Sequence, residues 1–265
     1  MRTVVVGTMS LTPQSNAVAF ANVEGDPDRL RGLLATARDR GAAHVFCLGN
    51  LVRSLGEMHA LRTAVREAEG LLMRPSAGAA PVGNEDEGPF DQGSLECLRI
   101  LSDYERGGSL QHGFSHGVHL FGGRNEYEIL LSEKAAGRTQ SVAYHALMQA
   151  CGLTIIGLGS SRLIILSQES DEWIESIPTE QVETVVAKRT QTPEGSLLHR
   201  YGGPPVYLVM LSDVTEQQVH RSTGSSWERL DDRQVRLRPG ESYIVGPSSR
   251  GSGYVVFDEK TLELC

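Results

Sequence analysis

FANVEGDPDRLRGLLATARDRGAAHVFCLGNLV, Phe20 to Val52, decides the fold class. It opens inside an apolar run, Ala17 to Val23, of a length suited to a buried strand. The run ends in the turn formers Glu24-Gly25-Asp26-Pro27. Pro27 fits the first turn of a helix, where its missing amide proton costs nothing, and Asp26 before it can cap the free amides. Leu30, Leu33, Leu34 and Ala37 then recur at helical spacing until Gly41 stops the helix. Ala43 to Leu48 is a second buried strand, closing on Gly49-Asn50. Strand, helix and strand in succession make a βαβ unit, and with it an α/β layered fold.

Upstream, Val4 to Gly7 reads as another short buried strand. Downstream, Ser54 to Leu72 has a helical pattern with Leu61, Val65 and Ala68 on one face. Residues 75 to 94 are dense in Gly, Pro and acidic residues and read as loop. Leu95 to Leu101 and Gln140 to Cys151 read as helices, and His119 to Phe121 as a strand. Leu153 to Ile156 and Leu163 to Leu166 are strand-like runs parted by Gly157-Leu158-Gly159-Ser160. Val206 to Leu211, Ser242 to Val245 and Tyr254 to Asp258 alternate like strands of a mixed or antiparallel sheet. The expectation is one domain over residues 1–265, with mixed central sheets flanked by helices.

The chain of 265 residues, 40% hydrophobic and 22% charged, is ordinary for a globular protein with a sizeable core. Its formal net charge of -8 opposes a general nucleic-acid or anionic-membrane binder, since a phosphate surface repels it. Cys47, Cys97, Cys151 and Cys265 lie far apart without a CxxC pair, which fits reduced thiols rather than a disulfide framework or zinc knuckle. No run approaches the roughly 18 apolar residues of a membrane span. The start MRTVVVG has no leader pattern. These features place the protein, as an expectation, in the cytoplasm.

With these elements assigned, Phe20 to Val52 resembles the opening of the calcineurin-like metallophosphoesterases. There the first strand ends in Asp-x-His-Gly-Asn and the second in Gly-Asp; the matching positions here are Asn22 to Asp26 and Gly49-Asn50. The family's Gly-Asn-His-Asp or Gly-Asn-His-Glu resembles Gly83-Asn84-Glu85-Asp86. A strand ending in histidine resembles His119 to Gly123 and puts Gly122 at the histidine position. The family's Gly-His-x-His resembles Gly157-Leu158-Gly159-Ser160. The tail, Val245 to Leu264, resembles the family's closing strand pair. The stretch 167–240 contributes little to the resemblance and reads as a family-specific insertion or cap, a place where partner contacts gather.

The resemblance implies metal-ligand positions at Asn22, Glu24, Asn50, Asn84, Glu85, Gly122, Leu158 and Ser160. Members of the family hold two divalent ions and use a bridging hydroxide, which requires anionic carboxylates and imidazoles. Of these positions only Asn84 keeps the family's residue type, and Gly122 and Leu158 offer no side-chain ligand. The resemblance therefore implies a pseudoenzyme without catalytic residues or cofactor, acting by binding a protein partner, a second copy of itself, or a small ligand. The alternative is a phosphoesterase with one oxygen-ligated Mg²⁺ or Ca²⁺ held by Glu24, Asn50, Asn84 and Glu85. A third account makes the polar residues mere loop hydrogen bonders at strand ends.

Other features are weaker. His112, His116 and His119 fall in a Gly- and Ser-rich segment that fits a partly solvated loop better than a metal site. Gly157 to Ser161 could cradle a phosphate through backbone amides, but it lacks a P-loop lysine. The acidic runs at 85–87 and at Asp231-Asp232 read as solvated loops. Ser10 and Ser15 belong to no nucleophile motif. Trp173 and Trp227 read as packing residues.

Overall fold

The computed structural model describes residues 3–7, 16–54, 56, 90–106, 117–137, 152–158, 161–170, 206–223, 226–247 and 253–265. The helix expected over Gln140 to Cys151, and nearly all of the one over Ser54 to Leu72, lie outside them. Numbered in chain order, the strands form two mixed sheets. One has the order β1 (Thr3–Gly7), β5 (Gly152–Leu158), β6 (Ser161–Ser170), β7 (Val206–Asp213), β11 (Ser242–Gly246), β8 (Gln218–Ser222) and β9 (Trp227–Leu230). The other runs β10 (Gln234–Arg236), β13 (Thr261–Leu264), β12 (Val255–Phe257), β2 (Asn16–Phe20), β3 (Ala42–Cys47) and β4 (Gly117–Leu120). The described helices are α1 (Pro27–Asp39), α2 (Gln92–Arg106) and α3 (Arg124–Ala135).

The βαβ unit forms as its residues dictate. Asp26 Oδ1 accepts the amides of Asp28 and Arg29 at 3.1 and 3.0 Å, capping α1 at its N-terminus. β2 and β3 pair in parallel, ending at Phe20 opposite Cys47, and β4 joins β3 in parallel, ending at Leu120 opposite Cys47. Both faces of this sheet are covered. Val18, Phe20, Val45 and Cys47 pack against Leu30 and Leu34 of α1 and Cys97 of α2. Ala17, Ala19, Phe46 and Leu48 meet Leu208, Met210, Tyr243 and Val245 of the seven-stranded sheet. Two-sided burial is the reason these strands are apolar runs rather than alternating ones.

Two expectations about boundaries are corrected. Gly157 and Leu158 do not part β5 from β6; they belong to β5, paired antiparallel with Arg162 and Ser161. Backbone groups of Gly157 and Leu158 engaged in that ladder are not free to cradle a phosphate. Gln92 to Ser94, expected as loop, open α2, because Asp91 Oδ1 accepts the Ser94 amide at 2.7 Å. Within 167–240, expected as an insertion or cap, β7 is a central strand between β6 and β11, with Leu208, Val209 and Met210 all 0% exposed.

Between the sheets sits a histidine pair. His44 of β3 and His119 of β4 place Nδ1 and Nε2 3.2 Å apart, and Phe46 stacks against His119 with ring centroids 5.1 Å apart. His119 is therefore a strand residue, not part of a solvated loop; His112 and His116 lie outside the described residues. Burial pushes the pKa of His119 down to about 4. The unfolded chain, with an ordinary imidazole near 6.5, binds more protons than the folded one between those values. Stability attached to the neutral ring is thus full above about pH 6.5 and falls as pH drops toward 4. Replacing His119 by Phe should remove about 2–3 kcal/mol of acid sensitivity. Urea midpoints at pH 7 and pH 4.5 check this, and equal acid sensitivity in both proteins would refute it.

Candidate functional site

The parallel order of β2, β3 and β4 brings the segments that follow them to one end of the sheet, where polar groups of α/β proteins converge. The segments after β2 and β3 are joined through their backbones. The Asn22 amide donates to the Gly49 carbonyl at 3.0 Å, Glu24 to Asn50 at 2.8 Å and Gly25 to Leu51 at 2.8 Å. Asn22, Glu24 and Asn50 all adopt left-handed backbone conformations, with φ of 57°, 55° and 51°. Asn tolerates that region better than other residues with a Cβ, so both asparagines have a backbone reason to be where they are. Glu24 has no such tolerance, and its strain is held by the hydrogen bond from its amide to the Asn50 carbonyl.

The segment after β4 closes over Gly49 and Asn50. Gly49 has φ of +123°, and a Cβ there would lie 2.2 Å from the Gly123 nitrogen. A Cβ on Gly123 would in turn lie 2.5 Å from the Asn50 nitrogen. Glycine is required on both sides of this contact because two main chains touch without side chains between them.

Inside the contact, Asn50 and Asn22 are 3% and 2% exposed. The Asn125 amide donates to Asn50 Oδ1 at 3.0 Å, which fixes the orientation of the Asn50 side chain. Asn50 Nδ2 then faces Asn22 and donates to its Oδ1 at 2.7 Å. Asn125 Nδ2 donates to the Val52 carbonyl at 2.9 Å. Arg29 Nη1 donates to the Asn22 carbonyl, while Nε and Nη2 of the same guanidinium are buried with no hydrogen-bond partner among the described residues. Burial lowers the Arg29 pKa, and the charges of Glu24 and Asp26 oppose that shift. On the other flank Arg53 Nε contacts Asp91 Oδ2 at 2.7 Å, and the Arg53 amide donates to Ser94 Oγ at 3.0 Å, tying α2 to the same loops.

In the described part of this crevice, two positions that the resemblance implies as metal ligands bond to each other. Two carboxylates facing each other would need a cation between them, whereas the Asn22 and Asn50 amides complete each other as donor and acceptor. The Arg29 guanidinium adds positive charge at the Asn22 main-chain carbonyl. Among the described residues no three His, Cys, Asp or Glu side chains are grouped as a metal site.

Of the positions singled out in the sequence, Asn22, Glu24 and Asn50 come together here. Gly122 joins them through the backbone, its carbonyl carbon lying 2.9 Å from where a Gly49 Cβ would stand. Leu158 ends β5, opposite Ser161 in the hairpin ladder. Asn84, Glu85 and Ser160 lie outside the described residues. Sequence reasoning missed Arg29, Asn125 and Glu126. Only Glu126 had a legible signal, as the Glu three residues after Gly123 at a helix start, the spacing of a capping box. Its carboxylate accepts the Gly123 amide at 2.7 Å, although Gly123 has no side chain to return the bond.

No protein-family model and no curated protein matches the chain. Solved structures do resemble it, four chains in all. A metallophosphoesterase from Sphaerobacter thermophilus aligns with a TM-score of 0.43 and 10% sequence identity, over 94% of this chain and 86% of that one. No helix among the described residues is long and apolar enough to cross a membrane.

Proposed function

We propose that this chain is a metallophosphoesterase-like protein that has given up hydrolysis and acts by binding, to a protein partner or to a second copy of itself. The observation that carries the reading is the Asn22–Asn50 hydrogen bond at 2.7 Å, which joins two positions that the family resemblance implies as metal ligands, Asn50 being the one of the bridging carboxylate. Without a positioned metal hydroxide the crevice offers neither a nucleophile nor a charge clamp for a phosphoester. The net charge of -8 favours a protein partner over nucleic acid or an anionic membrane surface. A cytoplasmic location and a single domain over 1–265 complete the proposal.

Hydrolysis of a generic phosphomonoester and a generic phosphodiester, assayed with Mg²⁺, Mn²⁺, Zn²⁺ and Ca²⁺ in turn, tests it. Rates at background with every ion are expected. Metal-dependent turnover that Asn50→Ala abolishes would replace this reading with that of an oxygen-ligated single-ion hydrolase.

A further inference from the structure

Glu126 is 1% exposed, and among the described residues every hydrogen-bond partner of its carboxylate is a main-chain amide. Oε1 accepts from Leu51 at 2.7 Å and Val52 at 3.0 Å; Oε2 accepts from Asn50 at 2.9 Å and Gly123 at 2.7 Å. Three of these donors are consecutive and begin at the left-handed Asn50, the arrangement by which successive amides form a concave nest for an anion. The fourth is the N-cap of α3, a 12-residue helix whose dipole adds positive potential at the same point. Burial pushes the carboxyl pKa up, and hydrogen bonds from the amides pull against it. With N–H donors on all sides of both oxygens, only the ionised form can accept every bond, because a protonated carboxyl would set an O–H against an N–H.

We infer that Asn50 to Val52 and Gly123 form an anion-binding cradle for a carboxylate, and that its resident ligand is the protein's own Glu126. Tethered on α3, Glu126 meets the cradle at an effective concentration that free anions do not reach, so the cradle is closed to external carboxylates and phosphates. The internal ligand is also a positioning residue. By binding the Asn50 amide it holds that residue in its left-handed conformation and so keeps its side chain against Asn22. The inference holds whether or not the crevice hydrolyses phosphoesters.

Anion rescue tests it. Thermal unfolding of wild type, Glu126→Ala and Glu126→Gln is followed in sodium chloride and in sodium formate at equal ionic strength. Glu126→Ala should unfold several degrees below wild type in chloride. Formate should restore most of that loss in a saturable manner, since formate fits the space the carboxylate leaves. Wild type and Glu126→Gln, whose cradles are filled by a tethered group, should unfold at the same temperature in both salts. A formate response of Glu126→Ala no larger than that of wild type would overturn the inference. Should Glu126→Ala fail to fold, wild-type protein supplies the decisive measurement by nuclear magnetic resonance. Scalar couplings across the hydrogen bonds from the Leu51 and Gly123 amide nitrogens to the Glu126 carboxyl carbon are expected, and their absence would overturn the inference equally.

Discussion

Gly49→Ala should be the most damaging single methyl addition in the described part of the chain. Its φ of +123° is closed to residues with a Cβ, and the new methyl would stand 2.2 Å from the Gly123 nitrogen and 2.4 Å from its Cα. Backbone strain of about 1–3 kcal/mol and overpacking of about 1–3 kcal/mol together give a loss of about 2–6 kcal/mol. Neither neighbour can yield cheaply, because both atoms are main chain. Gly32 is the control: it lies inside α1 with open space around its would-be Cβ. Gly32→Ala should stabilise by about 0.5–1 kcal/mol through the entropy of the unfolded chain. Urea unfolding of both variants checks the pair. A Gly49→Ala midpoint within error of wild type would mean that the segments after β3 and β4 do not touch as described.

The double replacement Asn22→Asp and Asn50→Asp carries the second large effect. It turns a donor–acceptor contact of 2.7 Å into two facing carboxylates at positions 2% and 3% exposed. Two buried like charges at that separation cannot both remain ionised without a cation, so one carboxyl pKa rises well above its unfolded value. A group raised in this way contributes fully below its unfolded pKa, and its contribution is lost as pH rises through the folded one. The double variant should therefore lose about 3–5 kcal/mol at pH 7 in the presence of a chelator and recover part of it on acidification to pH 5. Mn²⁺ or Mg²⁺ should restore stability at pH 7, while wild type should be indifferent to either ion. A double variant as stable as wild type in chelator would show that the two side chains are not in contact.

The course of α1 is legible from Asp26, Pro27 and Gly41, because capping and breaking are local chemistry. β2 and β3 are legible because two-sided burial leaves unbroken apolar runs. The β5–β6 hairpin is less so. Gly157-Leu158 looks like an interruption, and only the ladder partners across the hairpin keep those residues in a strand. The start of α2 is hidden in a stretch of Gly, Pro and acid, where the Asp91 cap is one acidic residue among several.

At the candidate site, Asn22, Glu24 and Asn50 are legible as positions, through the order of turns that follow apolar strands. What the asparagines do there is not, since a left-handed φ leaves no periodic trace in sequence. Glu126, whose capping-box spacing marks a helix start but not its partners, and His44 show why the rest stays hidden. A glutamate at a helix start normally reads as solvated, and a histidine within Ala-His-Val-Phe-Cys reads as an oddity of an apolar strand. Their partners lie about 75 residues away along the chain, between Glu126 and Leu51 and between His44 and His119.

The central claim is that a closed amide pair stands where the family resemblance calls for a metal bridge, and metal content tests it most directly. Wild-type protein loaded with excess Mn²⁺ or Zn²⁺, desalted and analysed by mass spectrometry under non-denaturing conditions, should retain far less than two ions per chain. A stoichiometric pair of retained ions, lost on Asn50→Ala, would contradict it.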